Sequence, residues 1–466
     1  MDRYKRLASN TMILAAGQFS SKFLVYVMMR FYTGELGTSG YGAMGIIVDA
    51  SVIIMAVVTL SVNDSVIRFG LDKKYDKSQV FSIGLLTTVI GVLMFAAVAP
   101  ALTLIDLLKD YALLIYLYVF TGSIKSCCAL FARSAGYVRL YALDGIFTTV
   151  VNIIFNFIFM LGFNMGVTGY VLSVVVADAA SIVFVFYMAD LKRYFRLWGL
   201  NKHLRRSMYR FSLPLIPTTV MWWVTNASDG FIIAEILGEH YTGLYKVAYR
   251  IPNIIVLISL IFSQAWNMSA ITEKNSRTIS QFYTNVFNIF QSAIYIMAAG
   301  ILLLIKPALD VMTSEDFAGV YRYSPLLVVA VVFACFSTFM GSVYVASKKT
   351  VRSMLTAFGG AVSNIILNFL LIPVMGIQGA ALATVISYLI IFAARAVDTR
   401  KIVLMDLKLP KITLNMVIIA AMGMVVIFAE NITFFYISLS AGFLLTTVFN
   451  FRAGVAAIYM LKRKKE

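Results

Sequence analysis

Apolar residues run along this chain in long blocks separated by short polar breaks. About fourteen blocks approach or exceed the roughly 20 apolar residues that a bilayer-crossing helix needs. The first six are Ser9–Arg30, Tyr41–Val66, Val80–Ala101, Tyr111–Phe131, Leu140–Leu161 and Val167–Met188. After a polar stretch come Phe211–Ile236, Tyr241–Ser269, Phe282–Ile305, Tyr323–Ala346, Met354–Val374 and Ile377–Ala394. Ile412–Ala429 and Thr433–Leu461 complete the series. The pattern predicts an all-α, polytopic membrane protein with about 14 transmembrane helices. The opening MDRYKRLASN resembles a signal peptide, but no convincing small-residue cleavage site follows the apolar run. It is read as a retained first helix.

Composition sharpens this picture. Hydrophobic residues make up 61% of the 466 and charged residues 13%, where a soluble domain carries about 25% charged. A soluble enzyme, a disordered tail and an ordinary nucleic-acid binder are excluded on that basis. The net charge of +17 then belongs to loops on one membrane face. With the N-terminus inside, inside segments hold thirty basic residues, whereas outside segments hold only Arg30, Lys109, Lys306 and Arg322. Lys and Arg are retained on the cytoplasmic side, so both termini are expected there, and the span count is even. Cys127, Cys128 and Cys335 fall in apolar stretches, and His203 and His240 lie far apart. No metal-ligand spacing exists, no P-loop is present, and no cofactor is expected.

Two echoes divide the chain. Asn152 and Asn156, followed by Gly166 and Gly169, recur as Asn364 and Asn368, followed by Gly376 and Gly379. The offset is 212 residues at the asparagines and 210 at the glycines. Leu36-Gly37 recurs as Leu237-Gly238, at an offset of 201. Residues 1–190 and 211–400 therefore read as two six-helix lobes. A basic cytoplasmic linker (191–210) joins them, and two further helices with a basic tail (401–466) follow. Six helices per lobe make the repeat parallel, with a pseudo-twofold axis along the membrane normal and an expected central cavity.

Eleven charges interrupt the apolar blocks: Lys22, Lys125, Lys246, Arg250, Arg452, Asp49, Asp64, Asp144, Asp178, Asp229 and Glu235. Each costs about 2.5–3.5 kcal/mol at a lipid-facing helix centre, so most are expected to face a polar interior. Asp64, Asp144 and Glu235 lie near helix ends, where water can reach them. Lys22, Asp49, Asp178 and Arg250 are the deepest, roughly 13–20 Å along their helices at 1.5 Å per residue. Lys125 lies in the inner half of the fourth span. Adding the 201-residue offset to Asp49 gives Arg250, so these two are a candidate cavity pair. Lys246 and Arg250, spaced i, i+4, share a helix face and can bind a diphosphate; pairing with Asp229 or Glu235 is the competing reading. Pro214, Pro217 and Pro252 mark the seventh and eighth spans as candidate gating helices.

The stretch PLIPTTVMWWVTNASDGFIIAEILGEHYTGLYKVAYRIPNIIVLISLIFSQAW, from Pro214, resembles the seventh and eighth helices of Wzx-type polysaccharide flippases. NIILNFLLIPVMGIQGAALATVISYLI, from Asn364, does so too. These flippases belong to the multidrug/oligosaccharidyl-lipid/polysaccharide (MOP) exporter superfamily. Where that family often carries Asp-Arg in the seventh span, this chain has Asp229-Gly230. The resemblance implies inner-to-outer flipping of undecaprenyl-diphosphate-linked oligosaccharide in the bacterial cytoplasmic membrane, by alternating access. On this reading Lys22, Lys125, Lys246 and Arg250 bind substrate. Asp49, Asp178 and Asp229 couple an ion or pair across the cavity. H⁺ or Na⁺ is the candidate coupling ion, and a polysaccharide polymerase and membrane lipids are candidate partners. A multidrug cation exporter and a peptidoglycan-precursor lipid flippase are the alternatives. An enzyme is disfavoured, because the longest outer loop, about Lys306–Arg322, carries no obvious nucleophile–base pair.

Overall fold

The computed structural model describes residues 26–272, 279–347 and 349–463. Most of the first expected span, with Lys22, lies outside them. Among the described residues all regular structure is helical. Eleven helices of the described residues are long and apolar enough to cross a membrane. Glu239–Arg250 and Asn253–Ser263, which meet at 48°, are together apolar enough to count as a twelfth if they act as one broken span. The expected seventh span forms a 23-residue helix, Leu215–Leu237, whose apolar run is diluted by Thr219, Asn226, Ser228 and Asp229. The described residues divide into two compact units between Trp223 and Val224, a boundary that falls inside this helix.

The first unit contains α1 (Met29–Val58), α2 (Val62–Leu71), α3 (Lys77–Val98), α4 (Ala112–Ala135), α5 (Val138–Asn156), α6 (Gly166–Met188) and α7 (Lys202–Ser212). The expected second span, Tyr41–Val66, ends early. Leu60 and Ser61 adopt left-handed φ values of 53° and 49°, and the hydroxyl of Ser61 donates to the Ala56 carbonyl. The chain then restarts as the short, amphipathic α2. Val62 and Val66 of α2 pack with Phe81, Phe131, Leu204 and Met208. That core draws α7 into the first unit, and the Ser65 hydroxyl donates to the Met208 carbonyl at 2.8 Å.

The second unit continues α8 (Leu215–Leu237) and adds α9 (Glu239–Arg250), α10 (Asn253–Thr272), α11 (Ile279–Met312), α12 (Ser324–Ala346), α13 (Thr350–Met375), α14 (Ile377–Thr399), α15 (Leu409–Phe428) and α16 (Ile432–Arg463). Its core is aromatic, with Phe287, Phe290, Phe336 and Phe339 from α11 and α12 buried against one another. The last two helices, α15 and α16, pack on α11. Asn450 there donates to Asn415 at 2.7 Å. Such polar ties hold membrane helices where apolar burial gives little drive.

The repeat reappears in the backbone of each unit. Gly37 (φ 59°, ψ −170°) breaks α1, and Gly238 (φ 100°, ψ 168°) separates α8 from α9. Both positions need a conformation that side chains resist. Gly166 and Gly376 likewise have φ of 51° and 58°. Gly169 and Gly379 allow close helix approach: a Cβ would lie 3.1 Å from the Phe159 backbone carbon at the first, and 2.3 Å from the Leu371 carbonyl oxygen at the second. The two units of the described residues thus share one backbone signature, and two further helices, α15 and α16, follow in the second.

Proline placement is informative. Pro214 falls in the turn between α7 and α8, and Pro217 in the first turn of α8, where a missing amide proton has no intrahelical partner to lose. Pro252 sits at the 48° bend. Its missing proton would have served the carbonyl of Ala248, four residues back. The Ser324 hydroxyl donates to that carbonyl instead, at 2.9 Å. The expected eighth span is therefore broken at the proline and mended from α12.

Candidate functional site

A buried polar cluster built around a carboxylate stands in each unit. In the second, the carboxylate of Asp229 is 1% exposed. Tyr245 donates its hydroxyl to Oδ2 at 2.5 Å, Thr384 donates to the same oxygen at 2.7 Å, and Asn368 donates its amide to Oδ1 at 2.6 Å. The Nδ2 of Asn368 also reaches Asn364 Oδ1 at 3.2 Å, and Ser228 donates to that oxygen at 3.0 Å. One turn further along α14, Tyr388 donates to Asn226 at 3.0 Å. The arrangement follows from helical spacing. Asn364 and Asn368, and Thr384 and Tyr388, are i, i+4 pairs, so α13 and α14 each turn two polar groups toward one face of α8.

Asn364 Nδ2 and Asn368 Oδ1 are buried without a hydrogen-bond partner among the described residues. Asp229, Thr384, Asn364 and Asn368 carry oxygens of the kind that suit an s-block cation rather than a transition metal, and here both Asp229 oxygens are taken by hydrogen-bond donors. Among the described residues, no three His, Cys, Asp or Glu side chains converge as a metal site.

Beside this cluster stands Lys246. A Cβ at Gly230 would lie 3.0 Å from Lys246 Cε and 3.3 Å from its Nζ. The bare glycine face therefore makes room for an ammonium delivered from α9. Lys246 and Arg250 are both half-buried, one turn apart on α9.

In the first unit, Lys125 Nζ meets Asp178 Oδ1 at 2.8 Å, with Asp178 almost fully buried. Asp144, expected at a watered helix end, is instead buried, and Ser181 donates to its Oδ1 at 2.6 Å. Asp144 lies on the inward face of α5, against α6, which decides its burial more than its distance from the helix end does. Asp64 and Glu235 are exposed. Asp49 is half-buried on α1, and its backbone carbonyl accepts from Trp223 Nε1 at 2.7 Å. Asp49 and Arg250 belong to different units.

The repeated asparagines do related work with different partners. Asn156 Nδ2 donates to the Tyr32 hydroxyl at 3.1 Å and to Asn152 Oδ1 at 2.9 Å. Asn368, its counterpart, faces the Asp229 carboxylate. Sequence reasoning singled out Asp229, and used the asparagines only as markers of the repeat. Thr384 and the role of Tyr245 were missed. The usable signal was the i, i+4 asparagine pair itself, since two amides on one face of an apolar helix need a polar partner.

The chain matches the model of the family described as "Polysaccharide biosynthesis protein" over residues 7–267, more than half its length. No curated protein matches it. Among solved structures it resembles the inward-facing conformation of a multidrug resistance MATE family transporter of the MOP superfamily. The TM-score there is 0.63, with 13% identity over 82% of this chain and 98% of that one. A mutant of the Vibrio cholerae MATE transporter VcmN gives TM-score 0.53, with 17% identity over 85% of this chain and 97% of that one. A MOP superfamily transporter from Pyrococcus furiosus, described as having a binding pocket of reverse polarity, gives 0.54, with 15% identity over 84% and 94%. These identities speak for the fold. Fold and family match converge: the chain belongs to the polysaccharide biosynthesis protein family and has the fold of MOP superfamily transporters.

Proposed function

We propose that this exporter flips undecaprenyl-diphosphate-linked oligosaccharide from the inner to the outer leaflet of the bacterial cytoplasmic membrane by alternating access. The observation that carries the proposal is the match to a polysaccharide biosynthesis family. Lys246 and Arg250 support it, as two cations on one face of α9 that suit a diphosphate. The Asp229 cluster is the proposed coupling site, accepting Na⁺ or H⁺, with Asp178 and Asp49 as further candidates. Membrane potential adds drive, because two negative charges leaving a negative interior gain roughly 4–5 kcal/mol per 100 mV. The test is flipping of a diphosphate-linked glycolipid by purified protein in liposomes, with and without a Na⁺ or proton gradient. Efflux of a lipophilic cation is measured in parallel. Glycolipid movement that is lost on reversing the charges of Lys246 and Arg250 supports the proposal. Cation efflux without glycolipid movement overturns it in favour of a multidrug exporter, the second reading, which the buried carboxylates Asp178 and Asp229 favour.

A further inference from the structure

The linker between the lobes carries a charged face that the transport reading leaves unused. From Leu191 to Ser228 the sequence has seven basic residues and no acidic one. Arg193 approaches Asp190 and Arg196 approaches Asp76. The other five make no ion pair among the described residues. Lys192 precedes the helix, and Lys202, Arg205, Arg206 and Arg210 lie exposed on α7. Leu204, Met208 and Ser212 form the buried opposite face, and Asn201 caps the helix by accepting from the His203 and Leu204 amides. The spacing 202, 205, 206, 209, 210, 213 is one continuous stripe at 3.6 residues per turn.

This stripe lines an open depression of about 730 Å³, walled by Lys202, Arg205, Arg206, Tyr209, Arg210 and Leu213. Tyr209 is fixed there by a 2.8 Å hydrogen bond between its hydroxyl and that of Thr87. The chain on either side is apolar and exposed, with Tyr187 78%, Met188 64%, Trp198 87% and Leu213 46% exposed. Exposed Trp and Tyr beside Lys and Arg are the signature of the headgroup layer. The helix also connects α6, which is long and apolar enough to cross a membrane, to α8, on the side where the sequence concentrates its basic residues.

We infer that the exposed face of α7 is a binding site for the headgroup of an anionic phospholipid of the cytoplasmic leaflet. The cations take the phosphate, and Leu213 and Tyr209 meet the start of the acyl chains. Four cations exceed what one phosphate needs, so a headgroup with two phosphates, such as cardiolipin, binds more tightly than phosphatidylglycerol. The inference rests on the inside placement of the linker and not on which cargo is carried.

The test uses the purified full-length protein in neutral detergent, titrated with cardiolipin, phosphatidylglycerol, phosphatidylcholine, a polyprenyl diphosphate or inorganic diphosphate. Bound lipid is counted by native mass spectrometry. Cardiolipin is expected to bind first, phosphatidylglycerol next, and phosphatidylcholine and inorganic diphosphate weakly. Neutralising Lys202, Arg205, Arg206 and Arg210 to Gln should weaken cardiolipin by about five-fold per charge, while Arg139→Gln with Arg400→Gln changes little. The triple exchange Arg205→Lys, Arg206→Lys, Arg210→Lys should keep binding. If the quadruple variant melts early without lipid, Arg206→Gln alone should still show the five-fold loss. Retention of cardiolipin by the neutralised face, equal losses in the Arg139 and Arg400 control, or occupancy by the polyprenyl diphosphate alone overturns the inference.

Discussion

At the scale of single residues, the two buried clusters differ in how they tolerate a change. Asp229 accepts three hydrogen bonds from neutral donors. Asp229→Ala leaves Tyr245, Thr384 and Asn368 facing an empty space, at about 1–3 kcal/mol for each group left unsatisfied. A clear drop in melting temperature together with loss of transport is expected. Tyr245→Phe, which removes a single donor, should lower the melting temperature less. Lys125 and Asp178 are instead an ion pair in which the carboxylate is buried and the lysine half-buried. Lys125→Met strands the carboxylate and should destabilise by about 3–5 kcal/mol, whereas Lys125→Met with Asp178→Leu should recover most of that loss. Melting curves of the single and double variants decide this; a double variant no better than Lys125→Met would mean the pair does not act as a unit. The deep charges were legible in the sequence because charge is conspicuous inside apolar blocks. Their partners were not. Asp229 meets residues 139 and 155 positions away, and Asp144 looked like a helix-end residue until α6 was set against it.

At the scale of elements, glycine divides into positions that bear on assembly and positions that do not. A methyl at Gly379 would fall 2.3 Å from the Leu371 carbonyl, backbone that cannot step aside cheaply, whereas at Gly359 it meets nothing within 4 Å. Gly379→Ala should reduce folded yield and melting temperature sharply. Gly359→Ala should leave both unchanged or slightly raised, since alanine favours a helix by about 0.8–1 kcal/mol. Equal behaviour of the two variants in a thermal melt would contradict the close approach. Span positions were largely readable, because blocks of apolar residues need no tertiary information. The breaks were less so. The left-handed turn at Leu60–Ser61 has neither glycine nor proline to announce it. The wider π-type turns of Phe157–Gly162 likewise follow Asn156 without a local signal. Pro252 did announce a bend, but not that Ser324 would satisfy the carbonyl it leaves bare.

At the scale of the molecule, the excess of basic residues in one set of loops predicts which side each loop faces. Lys202 and Asp316 are exposed and lie on opposite predicted sides, and all three native cysteines are buried. A thiol introduced as Lys202→Cys should be labelled by a membrane-impermeant reagent only after the cells are opened, and one introduced as Asp316→Cys in intact cells. The reverse pattern would invert the topology. The repeat was visible as spaced asparagines and glycines, and its backbone signature is present in both units. The chemistry attached to it is not duplicated. Asn156 meets the hydroxyl of Tyr32, while Asn368 meets a carboxylate. A bound cation stabilises only the state that binds it, in proportion to the logarithm of its concentration. In calorimetry, Na⁺ acting at Asp229 would therefore protect the C-terminal unit and leave the melting of the N-terminal unit in place. Duplication supplied two copies of one scaffold, and protection of the C-terminal copy alone is the expected sign that a single side chain, carboxylate against phenol, sets their responses to the medium apart.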